Sequence, residues 1–263
     1  MIKKSLIIFI LLFSNNICTN AFAATPKKVI VSIYPLASMV KMILGDSANV
    51  EVLQQTASCP HHFSLSPSRV KLIKNADYLI LIDKQFEDYL SKYQESSRAN
   101  IIQITELINF DRSGSSNYHF WTNIDYIKKI LAGLKDYFIE QNFDKREITR
   151  NYNESIDRVN QIKTQNLEYS LIIGESLKYL PSNGDYVEKI YGMKSLKNIK
   201  QMMNRKRYKC VVLDNENLVN LNSKIASIVR IDIEDWDIGD VDLEDYLFEY
   251  LENINQKLSV CHK

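Results

Sequence analysis

The chain is short of the residues that interrupt a backbone: seven glycines and five prolines in 263 residues. That scarcity argues against a large unstructured region, with 111–117 the one exception. Charge is nearly balanced, 33 Lys and Arg against 32 Asp and Glu. Without a basic field, nucleic acid is not a partner. Enzyme signatures are missing as well: the chain has no HExxH, no phosphate-binding or dinucleotide glycine loop, and no nucleophile elbow. Histidine is equally rare, at positions 61, 62, 119 and 262. Three of the four sit in short aromatic or proline-bounded stretches, CPHHFSLSP and NYHFW. A neutral imidazole is a good ligand for zinc and similar metals. Two imidazoles on separate loops make half of a metal site; the plain alternative is a pair of exposed or core-edge histidines.

The amino terminus is built as an export signal. MIKK gives a positive end, SLIIFILLF an apolar core too short for a membrane span, and NAFA a small-residue cleavage site after Ala23. Cys18 stands in a poor context for lipid attachment, so a soluble periplasmic protein is expected. Loss of Lys3 and Lys4 takes the basic count from 33 to 31 against 32 acids, a net charge of −1. The remaining cysteines are 59, 210 and 261, and export permits a disulfide. A bond between Cys210 and Cys261 would pin the last helix to the second lobe, but only geometry can decide it.

Along the chain, apolar strand-like runs alternate with helical patterns. KKVIVSI, NVEVL, DYLILI and IIQI read as strands. A helix follows Pro35 and ends near Gly45, and another starts from a serine cap in SPSRVKLIKNA. FEDYLSKYQ is helical. From Asp125 the pattern is helical, and Ile148, Tyr152, Ile156, Val159 and Ile162 form one stripe on a segment of roughly 20–24 residues. A second set follows: YSLIIG, KCVVL and VRIDI as strands, with GDYVEKIYG, SLKNIKQMMNRKR, LVNLNSKIASI and LEDYLFEYLENINQKLSV as helices. The fold class is α/β, two lobes with mostly parallel sheets joined by a long rigid helix. The expected boundaries are 24–143, a connecting helix at 144–167, and 168–263. Sites in open α/β sheets lie beyond the strand carboxyl ends. The candidate loops are 59–66, 118–122, 174–179 and 232–236. His61 and His119 are candidate ligands from the first lobe. Glu175 and Asp232, both at strand ends, are the carboxylates that would complete the site. Asp214 and Glu216 are weaker competitors.

SIYPL, CPHHFSLSPSRVKLIKNADYLI, HFW, the long helix and YVEKIYG together resemble, in order and spacing, the metal-binding receptors of ABC importers, the ZnuA/TroA-like family of zinc and manganese type. The resemblance implies an exported, monomeric, non-catalytic receptor. It would hold one divalent ion between two lobes and deliver it to a membrane permease subunit. His61 and His119 match the family histidines and Asp232 the late aspartate. A Cys210–Cys261 bond resembles the carboxyl-lobe disulfide of zinc-type members. The third ligand position falls on Gly174, leaving Glu175 as the nearest donor; the set His61, His119, Glu175 and Asp232 takes zinc, with manganese the alternative. The histidine-rich loop of zinc-type members is missing, 111–117 being a short serine- and glycine-rich turn. The rival reading is a family member with a decayed site that serves as an adhesin or other interaction protein.

Overall fold

The computed structural model describes residues 25–54, 65–94, 97–112, 117–163, 167, 169–180, 185–187, 192–206, 208–214, 226–235 and 237–262. Residues 1–24 and the stretch with Cys59, His61 and His62 lie outside them.

Two four-stranded parallel sheets organise the chain. The first contains β1 (Lys27–Val31), β2 (Ala48–Val52), β3 (Tyr78–Leu81) and β4 (Asn100–Gln103), in the order β2-β1-β3-β4. Tyr78 to Leu81 are all buried, as expected of a central strand covered on both faces, which must be apolar throughout rather than alternating. Helix α1 (Tyr34–Leu44) starts with Pro35, where the missing N–H costs nothing. It stops at Gly45, whose φ of +53° suits glycine and whose N–H bonds the Lys41 carbonyl. Helix α2 (Pro67–Lys74) is capped by the Ser66 hydroxyl, which accepts the Arg69 N–H at 3.5 Å. The stretch FEDYLSKYQ, expected as one helix, is split into a 3-10 turn (Asp88–Leu90) and the single-turn helix α3 (Ser91–Gln94). Another single turn, α4 (Ile104–Leu107), follows β4.

Helix α5 (Ile124–Glu140) is capped by Asn123, and α6 (Lys145–Gln161) by Asp144. The Asp144 carboxylate accepts two backbone N–H groups, from Glu147 at 2.9 Å and Arg146 at 2.8 Å, and both hold its pKa below the ordinary range. Helix α6 has 17 residues, which at 1.5 Å each is about 26 Å, shorter than its sequence pattern suggests. Its stripe behaves as expected: Ile148 and Val159 are buried, while Tyr152, Ile156 and Ile162 pack against the same core. Asn151 Nδ2 reaches the Ile43 carbonyl at 3.1 Å, seating α6 on α1.

The second sheet contains β5 (Ser170–Ile173), β6 (Asp185–Val187), β7 (Cys210–Asp214) and β8 (Ser227–Ile231), in the order β6-β5-β7-β8. Here one expectation fails. GDYVEKIYG was expected to be a helix, but Asp185–Val187 within it form an edge strand on β5. Tyr186 and Val187 are good strand formers, and the Gly174 N–H continues the ladder to the Val187 carbonyl at 3.0 Å. Strand β8 begins at Ser227, inside the stretch expected as the helix LVNLNSKIASI; residues 218–225 of that stretch lie outside the described residues. Helices α7 (Gly192–Lys206) and α8 (Tyr246–Leu258) complete this half. A disulfide joins Cys210, at the start of β7, to Cys261 just after α8.

Helix α8 also reaches the first lobe. Tyr246 stacks on Tyr34 at 4.9 Å between ring centres, and the Leu247 N–H donates to the Ser38 hydroxyl at 3.1 Å. The Arg158 guanidinium lies 3.9 Å from the Phe248 ring centre and pairs with Asp245. One apolar core therefore runs from Val29 in β1 to Cys261. Among the described residues, no helix is long and apolar enough to cross a membrane.

Candidate functional site

Both sheets reverse their strand order between two central strands, β1 and β3 in one and β5 and β7 in the other. Crevices open at the carboxyl ends of such strands, and this is where the buried polar groups of each half collect. After β3, the fully buried Glu87 accepts the N–H groups of Ile82 (3.1 Å) and Asp83 (2.9 Å). Burial pushes its carboxyl up to about 7. Asp83 takes the Gln85 N–H at 2.8 Å and the Thr105 hydroxyl, and pairs with Arg112 at 2.6 Å. This tightly bonded turn presents Phe86 and Gln85 to the segment that carries His119.

That segment is fixed from several sides. The Tyr118 hydroxyl donates to Gln85 Oε1 at 2.9 Å. Phe86 and the buried Trp121 enclose the His119 imidazole, at 5.6 and 5.0 Å between ring centres. The chain then makes a 3-10 turn (Phe120–Thr122) and enters α5 through the Asn123 cap, whose Oδ1 accepts from Asp125 N (3.0 Å) and Tyr126 N (3.2 Å).

The imidazole reaches across to the second lobe. His119 Nε2 lies 2.9 Å from Glu234 Oε1, with the two side chains 14% and 19% exposed. Its other nitrogen, Nδ1, lies 2.9 Å from Asn117 Oδ1. The orientation of Asn117 follows from its neighbours. Its Nδ2 donates to the Glu175 carbonyl, which can only accept, and its Oδ1 also accepts the His119 N–H at 3.0 Å. Nδ1 must then carry the ring proton. In the neutral ring, Nε2 is left with a lone pair pointing at a carboxylate oxygen. Two facing acceptors at 2.9 Å need a positive centre between them, either a shared proton or a metal ion bound to both. Ligands each about 2.0–2.1 Å from one ion stand roughly 3 Å apart.

The four residues singled out from sequence are placed differently. His119 is at the seam between the lobes. Asp232 lies two residues from Glu234 and supports it: Asp232 Oδ1 accepts the Glu234 N–H at 3.0 Å, closing the turn that projects Glu234 toward His119. Glu175 opens the 3-10 turn Glu175–Tyr179 and turns its backbone carbonyl to the seam, accepting from Asn117 and from the Tyr186 hydroxyl (3.4 Å). His61 lies outside the described residues. Among the described residues, no three His, Cys, Asp or Glu side chains converge on one point. Glu234 was missed in the sequence, although it lies in the anticipated loop 232–236; its i+2 spacing from Asp232 is the signature of an aspartate-capped turn. The Tyr250 hydroxyl fixes the same loop from α8, donating to the Ile233 carbonyl at 2.7 Å.

Gly174 has φ +144° at the end of β5, a conformation open to glycine alone. A Cβ there would stand 2.1 Å from Oδ2 of the buried Asp214, which occupies the space at the end of β7.

Two α/β lobes meeting over a paired imidazole and carboxylate define a bilobed solute receptor. The chain belongs to the family of ZnuA, the periplasmic component A of zinc-uptake complexes, whose model matches residues 29–169. It is 25% identical over 252 residues to an uncharacterised protein of Rickettsia prowazekii, covering 89% of this chain and 84% of that one. Its fold matches the Mn-bound periplasmic metal binding protein of Candidatus Liberibacter asiaticus, with a TM-score of 0.69 at 17% identity over 88% of this chain and 98% of that one. The periplasmic zinc binding protein TroA of Treponema pallidum also gives a TM-score of 0.69, at 12% identity over 90% and 99% of the two chains. The family is one of receptors, not enzymes.

Proposed function

We propose that this protein captures one divalent transition-metal ion between its lobes and delivers it to the membrane permease of an ABC importer. The observation that carries this reading is the contact between His119 Nε2 and Glu234 Oε1, two metal-binding acceptors from opposite lobes at 2.9 Å. An ion there would join residues 24–143 to residues 168–263, across the connecting segment 144–167 that carries α6. His61, from the CPHHFSLSP stretch of the first lobe, is the second imidazole. Glu234 is the carboxylate of the second lobe, with Asp232 beside it; Glu175 is the weaker candidate because its carbonyl serves the seam. Two imidazoles with carboxylates suit zinc first and manganese second. The protein acts in the periplasm as a monomer after cleavage of its signal peptide.

The test is titration of the metal-stripped mature protein with zinc and with manganese. One ion per chain is expected for the parent protein, with binding lost in His61→Ala and His119→Ala. Glu234→Ala should weaken binding by at least about tenfold, and Asp232→Ala by less, because it removes a support rather than a ligand. Absence of binding by the parent protein, or binding that survives His119→Ala, would overturn the reading and favour an interaction protein on this fold.

A further inference from the structure

Charge is balanced over the whole chain but not within its second lobe. Residues 189–209 hold eight Lys and Arg and no Asp or Glu, whereas residues 231–256 hold ten Asp and Glu and no Lys or Arg. The fold sends these two stretches to opposite faces of one sheet. Alternate side chains of a strand point to opposite faces. Leu171, Ile173, Val211 and Leu213 pack with Ile199 and Met203 of α7, in a small core whose described residues all belong to this lobe. Ile172, Val212, Val229 and Ile231 point the other way, into the core that holds α8 and runs on into the first lobe. Helix α7 is therefore the outer flank of the second lobe, and α8 its inner side. Ile238 and Leu243 root the acidic loop before α8 in that inner core. Among the described residues, the exposed acids of the lobe (Asp237, Asp240, Asp242, Glu244, Glu249 and Glu252) all belong to this inner stretch.

On α7 itself, Ile199 and Met203 are buried one turn apart, while Lys197, Asn198, Lys200, Gln201 and Asn204 are exposed. At 3.6 residues per turn, positions 194, 197, 201 and 205 fall on the side away from 199 and 203, and three of these four are Lys or Arg. We infer that this outer face of α7 is a docking surface for a bilayer rich in anionic phospholipid. Its 15 residues, at 1.5 Å each, span about 22 Å. Lys194, Lys197 and Lys200 recur every third position along it, each a hydrated point charge on a flexible stem. Such a row suits a plane of phosphate headgroups; recognition of one fixed carboxylate or phosphate favours the rigid fork of arginine. The apolar side of α7 is spent on the core, so the helix rests on the headgroups and inserts nothing. Because the chain is close to neutral, the attraction is oriented: the α7 flank is drawn to the bilayer and the acidic side of α8 is turned from it.

The test is co-sedimentation of the mature protein with vesicles of phosphatidylcholine, alone or with about one-third phosphatidylglycerol, at low salt. Binding is expected to the anionic vesicles only, and should be lost at about 1 M salt, where charges are screened beyond about 3 Å. Lys194→Gln/Lys197→Gln/Lys200→Gln should weaken it roughly 100-fold, from about fivefold for each cation removed. Glutamine supports a helix about as well as lysine, so circular dichroism should be unchanged in that variant. The control Lys128→Gln/Lys129→Gln/Lys135→Gln removes the same charge from α5 and should shift vesicle binding by less than about threefold, because attraction fades within a screening length of the surface. Equal binding to both kinds of vesicle, or equal losses in the two triple variants, would overturn the inference. Absence of binding to the anionic vesicles would also overturn it and leave the face to an acidic protein partner.

Discussion

Replacing Gly174 by alanine tests the geometry of the second lobe where it meets the seam. Two costs add. The backbone there has φ +144° and ψ 133°, and an L-residue held in such a region carries about 1–3 kcal/mol of strain. The new methyl would also stand 2.1 Å from Asp214 Oδ2 and 2.8 Å from its Cβ, so a buried side chain must move, and overpacking of this kind costs about 1–3 kcal/mol. Gly174→Ala should therefore lose roughly 2–6 kcal/mol, a large share of the stability of an ordinary domain. The two terms separate in a double-mutant cycle with Asp214→Ala. Removing the Asp214 carboxylate clears the nearest atoms and leaves only the Asp214 Cβ at 2.8 Å, so the double variant should regain part of the packing term and retain the backbone term, with a coupling of up to about 3 kcal/mol. Urea unfolding of the four proteins, followed by circular dichroism, gives the values. A loss below about 0.5 kcal/mol in Gly174→Ala, or additive effects in the cycle, would refute the assigned geometry.

Loss of the disulfide in Cys210→Ser/Cys261→Ser should cost about 4 kcal/mol by the chain-entropy relation for a 51-residue separation, measured by the same unfolding; a loss under about 1 kcal/mol would show that the bond does not constrain the unfolded chain. Glu87 gives a pH signature. Its folded pKa, about 7, lies above the ordinary 4.5, so the folded chain holds this proton more tightly than the unfolded one. That contribution is complete below 4.5 and is lost as pH rises through about 7. Relative to the parent protein, Glu87→Gln should gain up to roughly 3 kcal/mol over that window, and a stability difference that does not vary with pH would count against the buried acid.

Much of the fold was legible because local chemistry and burial agreed. Pro35 and Gly45 bracket α1, Ser66 and Pro67 open α2, and the stripe from Ile148 to Val159 marks the buried face of α6. Trp121, in the aromatic stretch NYHFW, is fully buried beside His119. The failures occur where the decisive partner is distant in sequence. Tyr186 and Val187 become a strand only because β5 offers them an unpaired edge, a fact no local spacing records. His119 stood out by rarity, but its partner did not: Asp232 and Glu234 are both acids after the same strand. Which of them faces the imidazole depends on the turn that Asp232 closes around the Glu234 N–H. The Gly174 position also reads differently in three dimensions. The sequence shows a missing side chain, whereas the structure shows the space filled from β7 by Asp214.

The docking of α8 on α1 has a consequence for how the protein is made. Leu247 bonds Ser38 across 209 positions of chain, and the Tyr34 ring is covered by Tyr246. A chain made from its amino terminus presents α1 long before α8 arrives. Through that interval Ser38 and the Tyr34 ring lack the partners they have in the complete fold. Contacts of such long range form last and slowly. The first lobe and the last helix thus complete one another, and neither reaches its final packing without the other.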